Sequence, residues 1–142
     1  MIIPDINLLV FAYNELAPHH ARAKEWWESL LSHETVVGIP WAVTFGFIRL
    51  MTHRQVLENP VPVDACCAAV EQWYARPNVQ PVQPGSRHFS LFKAFLSEIR
   101  TGGNLVTDAH LAALAVEHSA ELHSNDSDFS RFSGLRWTNP LL

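Results

Sequence analysis

Short apolar segments of strand length alternate with longer amphipathic segments, and this alternation restricts the fold more than any other feature of the chain. The strand-like segments span residues 1–4, 35–39, 79–82, 121–124 and 135–137. The helical segments span residues 7–16, 18–31, 40–51, 63–75, 86–100 and 107–118. Strands that are joined through helices pair in parallel. The sequence therefore predicts an α/β domain with a central parallel sheet of four to five strands, covered by helices on both faces.

Four positions indicate where the predicted helices begin or end. Pro18 and Pro40 suit the first turn of a helix, where the missing backbone N–H costs little. The Thr-Gly-Gly stretch at residues 101–103 is a stop signal for the helix that precedes it. Thr107 has the position of an N-cap, which places Asp108 in the first turn of the last predicted helix.

The length and apolar content of the chain allow one core. The chain has 142 residues, of which 48% are hydrophobic, and this is too little for two ordinary domains. We therefore expect a single domain over residues 1–142. The formal net charge is −4, so the surface as a whole does not attract nucleic acid. A polyanionic partner would have to be held by a local basic patch or through bound cations.

The two cysteines, Cys66 and Cys67, are adjacent and therefore poorly placed to form an ordinary disulfide with each other. Reduced cysteines are typical of the cytoplasm, which is the compartment we expect. The opening residues lack the basic start and long apolar stretch of a signal peptide. We expect no membrane span, because no window reaches 18 uncharged apolar residues.

Four aspartates fall at places where predicted strands end or a predicted helix begins. Asp5 follows the first strand, Asp126 and Asp128 follow the fourth, and Asp108 opens the last helix. Ligands of parallel α/β sheets bind beyond the carboxyl ends of the strands, so these side chains should meet at one edge. Carboxylates at close range raise each other's pKa unless a cation neutralises them. Oxygen ligands favour Mg²⁺ or Mn²⁺, and such an ion can activate water for attack on a phosphodiester.

Most of these aspartates also have a structural interpretation. Asp108 would interact favourably with a helix dipole, and Asp126 and Asp128 are common turn residues. Asp5 is harder to explain in this way, because its apolar neighbours indicate a partly buried carboxylate that needs a partner. Taken together, the four positions favour a site.

Five segments distributed along the chain carry a resemblance to PIN-domain ribonucleases, and specifically to VapC toxins of the subgroup abundant in mycobacteria. The sequence DINLL at residues 5–9 resembles their opening, and DAHLAALA at residues 108–115 resembles their third acidic motif. SNDSDF at residues 124–129 is similar to their late acidic segment. FIRLMT at residues 47–52 and NPL at residues 139–141 are similar to that mycobacterial subgroup. Any one motif is weak, but the ordered set covers essentially the whole chain.

The resemblance implies a three-layer α/β/α PIN-like fold and RNA cleavage that depends on Mg²⁺ or Mn²⁺. It also implies a homodimer, and inhibition by a cognate VapB antitoxin. Carried over by position, the resemblance assigns metal-binding and catalytic roles to the acids and supporting roles to two polar residues. The metal-site acids would be Asp5, Asp108 and Asp126, with Asp128 as an adjacent catalytic acid, and Asn7 and Ser124 would orient the site by hydrogen bonding.

Gly46 departs from the family pattern. Many PIN domains have a glutamate just before the Phe-x-Arg segment, where this chain has Gly46. Either another element packs closely there, or a carboxylate has been lost from a position that faces the metal; we expect the second. Arg49, on the same predicted helix, is our predicted phosphate contact for RNA, although a structural salt bridge would explain it equally well.

Two other functions compete with this hypothesis. A haloacid-dehalogenase-like phosphatase also has its nucleophilic aspartate after the first strand, but it needs a second aspartate two residues later, where this chain has Asn7. The other alternative is a catalytically weakened PIN domain that acts only as a binding module with its antitoxin, and Gly46 is the feature that supports it.

Overall fold

A computed structural model of the protein describes residues 1–100, 102–103 and 105–142. The strands are β1 (Ile2–Pro4), β2 (Val37–Pro40), β3 (Val79–Val82), β4 (Glu121–His123) and β5 (Trp137–Thr138). The helices are α1 (Ile6–Tyr13), α2 (His20–Ser32), α3 (Trp41–Met51), α4 (Val63–Tyr74), α5 (His88–Ile99) and α6 (Leu105–Glu117). A 3₁₀ helix (Ser127–Arg131) lies between the last two strands.

The five strands form one parallel sheet in the order β3-β2-β1-β4-β5. The chain moves from β1 through β2 to β3 in one direction and then crosses to β4 and β5 on the other side of β1. Because crossovers between parallel strands are right-handed, this reversal places α1 to α4 on one face of the sheet and α5 and α6 on the other. The predicted parallel α/β sheet, covered on both faces, is confirmed.

The sheet residues that point into the two helical layers form the core. Ile3, Ile39 and Leu122 are fully buried, as expected for parallel strands that are covered on both faces. Gly38 allows the neighbouring strand to approach, because a Cβ atom there would overlap a methyl group of Val82. The core therefore requires both large apolar side chains and one position without a side chain.

An aromatic cluster joins the helices on the β2 side of the sheet. Trp73 of α4 is fully buried and lies edge-on to Trp27 of α2, with ring centroids 5.5 Å apart. Its centroid lies 4.8 Å from that of Phe47 in α3. Its indole N–H donates to the hydroxyl of Tyr13 at 2.8 Å. This cluster fixes α1 to α4 as one layer behind β1 and β2.

Several predicted helix boundaries are wrong by a few residues. Pro18 does not open α2, which starts at His20, because the preceding residues form a turn in which His20 N–H donates to the carbonyl of Ala17. Thr107 is not an N-cap, since α6 already begins at Leu105. The first helix ends at Tyr13 rather than at residue 16, because the side chain of Asn14 accepts a hydrogen bond from Leu16 N–H.

The end of α5 is formed by Arg100, which has a left-handed backbone with φ of 57°. Thr101, the first residue of the predicted stop, lies outside the described residues. Cys66 is buried, Cys67 is exposed, and both are free thiols. Within the described part of the chain, no helix combines the length and the hydropathy that a membrane span requires.

Candidate active site

Asp5 occupies the junction between β1 and α1 at the carboxyl edge of the sheet. Its backbone N–H donates to the carbonyl of His123, which continues the pairing of β1 with β4. Its side chain caps α1, because Oδ1 accepts from the backbone N–H of Ile6 at 2.7 Å. Asp5 is only 7% exposed, so its carboxylate is fixed between strand and helix and largely removed from water.

Ser124 links the ends of β1 and β4. It is fully buried, and its hydroxyl donates to Oδ2 of Asp5 at 2.7 Å. The same hydroxyl oxygen accepts from the backbone N–H of Asp126 at 2.9 Å and from the side-chain amide of Asn7 at 3.5 Å. One hydroxyl therefore connects two of the predicted metal-site acids. Asn7 and Ser124 both lie where the sequence predicted them, and Asn7 reaches Asp5 only through Ser124.

Asp126 and Asp128 lie at the start of the 3₁₀ helix. Asp126 is its N-cap, and Oδ1 of Asp126 accepts from the backbone N–H of Asp128 at 2.9 Å. The structural interpretation of Asp126 as a turn residue is therefore correct, and it coexists with its place beside Ser124. The side chain of Asp128 is exposed.

Asp108 reaches the same edge from the first turn of α6. The pKa of Asp108 is raised from its ordinary 3.8 to about 7, first by burial and then by the negative charges of Asp5, Asp126 and Asp128. Burial also raises the pKa of Asp5, although its hydrogen bonds to Ser124 and Ile6 partly oppose this change. The structure thus places all four predicted acids within one electrostatic environment.

The donor atoms at this edge suit a hard divalent cation. They are carboxylate oxygens, and Oδ1 of Asn7 is buried and has no hydrogen-bond partner among the described residues. No three histidine, cysteine or acidic side chains in residues 1–100, 102–103 and 105–142 already converge as a set of metal ligands. The chemistry of the site fits Mg²⁺ or Mn²⁺, while its geometry requires some of these side chains to move closer together.

Gly46 lies in the middle of α3 and is buried. A Cβ atom at this position would lie 2.6 Å from Cδ1 and 3.1 Å from Cγ1 of Ile6. This contact supports the close-packing interpretation rather than our expectation that the position faces the metal, and because Cδ1 is the flexible end of Ile6, the Gly46→Glu variant decides between them. The direction of a side chain at Gly46 is occupied by the aliphatic side chain of the residue that follows Asp5.

Arg49 is exposed in the last turn of α3, where its charge interacts favourably with the helix dipole. It forms no ion pair with the described residues, so the salt-bridge alternative finds no support there. Arg49 lies eight residues along a helix that begins next to the carboxyl edge, which is about 12 Å of helix length. Contact with an RNA phosphate stays a prediction.

Two residues of the C-terminal segment that the sequence did not single out as site residues contact the acidic turn. The indole N–H of Trp137 donates to the backbone carbonyl of Ser124 at 3.1 Å. The side-chain amide of Asn139 donates to Oδ1 of Asn125 at 3.1 Å. The only signal for Trp137 was its place in the last predicted strand, and sequence alone did not show which way its indole pointed.

Comparison with known proteins agrees with this fold. The family model of the PIN domain matches residues 2–135 of this chain. The chain therefore belongs to the PIN-domain family. Two relatives from Mycobacterium tuberculosis extend this similarity over the whole chain. Ribonuclease VapC33 is 42% identical over 141 residues, which are 99% of this chain and 99% of the relative. Ribonuclease VapC37 is 42% identical over 140 residues, which are 99% of this chain and 97% of the relative.

A solved structure shows the same fold at low sequence identity. The crystal structure of VapBC2 from Rickettsia felis, bound to a DNA fragment from its promoter, superposes with a TM-score of 0.71. The alignment covers 98% of both chains with 17% identity. The expected three-layer α/β/α arrangement is thereby confirmed.

Proposed function

We propose that this protein is a divalent-metal-dependent endoribonuclease that acts as the toxin of a VapBC-type toxin–antitoxin pair. The observation that carries the proposal is the group of four aspartates at the carboxyl edge, in which the pKa of Asp108 is raised to about 7. Charges in this arrangement repel each other until a cation neutralises them. The ribonuclease names of VapC33 and VapC37, each similar over almost the whole chain, support cleavage of RNA.

The proposed ligands of Mg²⁺ or Mn²⁺ are Asp5, Asp108 and Asp126, with Asp128 beside them. When bound, the ion supplies an activated water and stabilises negative charge that develops on the phosphodiester. Ser124 and the N–H of Ile6 hold the two oxygens of Asp5 in a fixed orientation. Asp126 is oriented by the same serine, so the protein organises these two acids before the ion binds.

Asp108 differs from Asp5 and Asp126, because it is not held ready for the ion in this way. Because its pKa is raised to about 7, the side chain is partly protonated near neutral pH in the absence of metal. Ion binding requires the carboxylate and therefore releases that proton. The affinity for Mn²⁺ should rise with pH until Asp108 is ionised.

The alternative, a PIN domain that has lost catalysis and serves only as a binding module, is not favoured. Gly46 was the feature that supported it, because it suggested a missing ligand. The structure places Ile6 against this position, so close packing accounts for Gly46 without a lost ligand. The phosphatase alternative finds no support in the comparisons, which report PIN-domain and ribonuclease relatives.

The proposed partner is a small VapB-type antitoxin. The fold of this chain is found in one chain of the VapBC2 structure from Rickettsia felis. An arginine or lysine of the antitoxin would fit the acidic edge and compete there with the metal, since a guanidinium offers a fixed charge and paired donors to carboxylates. The residues it would reach are Asp5, Asp108 and Asp126.

We also propose that the protein forms a homodimer in the cytoplasm. Support for the dimer comes from large apolar side chains that the single chain leaves exposed. Phe45 is 64% exposed and Phe89 is 70% exposed, and both lie on helices that flank the sheet. Support for the compartment comes from the free thiols of Cys66 and Cys67. Sedimentation equilibrium of wild type and Phe45→Ser tests the dimer.

The activity is tested by cleavage of a labelled RNA with Mg²⁺, with Mn²⁺ and with chelator. We expect cleavage only with metal, and a loss of about 100-fold or more in Asp5→Asn and Asp108→Asn, because each removes a charged ligand. Asp64→Asn is the matched control, since Asp64 is an exposed aspartate in the first turn of α4. Full activity of Asp5→Asn with Mg²⁺ present would exclude the proposed metal site.

A further inference from the structure

Trp137 of β5 is placed to hold the acidic turn from the side opposite Asp5. Its indole N–H donates to the backbone carbonyl of Ser124 at 3.1 Å, just beyond the end of β4. The next residue, Thr138, accepts the backbone N–H of Ser124 at 3.1 Å. Both backbone polar groups of Ser124 are therefore bound by two consecutive residues of the edge strand.

The remaining polar group of Ser124 faces the acids. Its hydroxyl donates to Asp5 and accepts from the backbone N–H of Asp126. A displacement of the Ser124 backbone thus changes the position of both acids at once. A buried serine with all of its polar groups engaged has one preferred position, and the indole is one of the groups that define it.

We propose that Trp137 is a positioning residue for the metal site, acting through the carbonyl of Ser124. This inference rests on the proposed function for its catalytic consequence, although the positioning itself is a property of the folded chain. Supporting hydrogen bonds outside the ligands of a metal site typically change metal affinity or activity by about 10–100-fold when they are removed. Trp137 makes no contact with the acids themselves in the hydrogen bonds described, so its effect is indirect.

Trp26 of α2 provides a matched comparison, because its indole N–H donates to the last residue of β4. Its indole N–H donates to Nδ1 of His123, also at 3.1 Å, and His123 immediately precedes Ser124. That hydrogen bond ends on a side chain whose other ring nitrogen contacts Glu121 rather than an acid of the site. Trp26→Phe and Trp137→Phe therefore each remove one indole N–H, and the acceptors of the two hydrogen bonds are the neighbouring residues His123 and Ser124. Only Trp137→Phe removes a hydrogen bond to Ser124.

The direct test is amide hydrogen exchange of Asp126, whose N–H is bound by the Ser124 hydroxyl. In Trp137→Phe we expect this amide to exchange about tenfold faster than in wild type, by analogy with the size of such supporting effects. In Trp26→Phe its exchange should match wild type. Unchanged protection of the Asp126 amide in Trp137→Phe overturns the inference, whether or not the protein cleaves RNA.

The catalytic consequence is measured on the same variants. Trp137→Phe should lower kcat about tenfold and weaken Mn²⁺ binding measured by calorimetry, with KM for RNA changed less than about twofold. Trp26→Phe should retain the wild-type kcat. Equal losses of kcat in both variants overturn the inference in favour of a general loss of rigidity. A wild-type protein that neither binds Mn²⁺ nor cleaves RNA contradicts the proposed function instead, and the exchange experiment still decides the role of Trp137.

A further variant covers the case in which Trp137→Phe fails to fold. Replacement of Trp137 by β-(3-benzothienyl)alanine substitutes sulfur for the indole N–H at nearly constant shape. We expect the same faster exchange of the Asp126 amide with a melting temperature within about 5 °C of wild type, because a single hydrogen bond contributes little to stability. Wild-type exchange in this variant contradicts the proposal.

Discussion

The end of β1 and the first turn of α6 each contribute an aspartate to the same edge, but they prepare it differently. Asp5 is buried and receives hydrogen bonds on both oxygens, from Ile6 and Ser124. Asp108 is half-buried, and within the described part of the chain its carboxylate receives no hydrogen bond. The pKa is raised at both positions, yet donors oppose the change only at Asp5. The carboxylate of Asp5 is therefore held in place by the protein, whereas the charge of the Asp108 carboxylate depends on a cation for its stabilisation.

The largest effect should come from removing the donor that makes Asp5 different. In Ser124→Ala both the bond to Asp5 and the bond from Asp126 are lost. We expect RNA cleavage to fall about 10–100-fold, and the free energy of unfolding to fall by about 1–3 kcal/mol. Ser130→Ala is the matched control, because that hydroxyl donates only to the carbonyl of Ser127. Wild-type RNA cleavage by Ser124→Ala would show that activity does not require the hydrogen bond from Ser124 to Asp5.

A smaller effect, confined to stability, is expected on the α3 side of Asp5. In Gly46→Glu the first side-chain atom meets Ile6, so the carboxylate is forced into apolar packing. We expect the melting temperature to fall by roughly 3–10 °C, which corresponds to about 1–3 kcal/mol. The fall should be the same with and without Mn²⁺. Gly102→Glu is the control, because among the described residues a Cβ at Gly102 has one neighbour within 4 Å, at 4.0 Å. A gain in Mn²⁺ affinity in Gly46→Glu would restore the metal-facing interpretation.

A third effect concerns the pH dependence of the metal-free protein. The pKa of Asp108 is higher in the folded state, about 7, than in the unfolded chain, so the folded state binds the proton more strongly. Its contribution to stability is therefore present at low pH and is lost as pH rises from about 4 to about 7. In Asp108→Asn, measured with chelator, the melting temperature should decline less over this range and exceed that of wild type at pH 8.

Asp64→Asn should follow the wild-type curve, since that side chain is exposed and distant from the acids in sequence. Some pH dependence should persist in Asp108→Asn, because the pKa of Asp5 is also raised. Identical curves for wild type and Asp108→Asn would contradict the difference drawn between the two aspartates.

The alternation of strands and helices, and the edge at which Asp5 and Asp126 lie, could be predicted from the amino-acid sequence. Both follow from local rules: periodicity defines the elements, and a residue that follows a parallel strand must lie at its carboxyl end. Asn7 and Ser124 could be assigned to the site by resemblance, although their hydrogen bonds could not. The start of α6 was predicted too late. Threonine is a typical cap residue, which suggested a cap at Thr107, but the helix already begins at Leu105.

The neighbours of each of these residues became known only from the folded arrangement. Gly46 packs on Ile6 across two helices, and the indole of Trp137 reaches Ser124 across two strands. The pKa of Asp108 depends on its burial and on three charges distant in sequence. These facts depend on where side chains far apart in the chain come together, and neither periodicity nor local propensity contains that information.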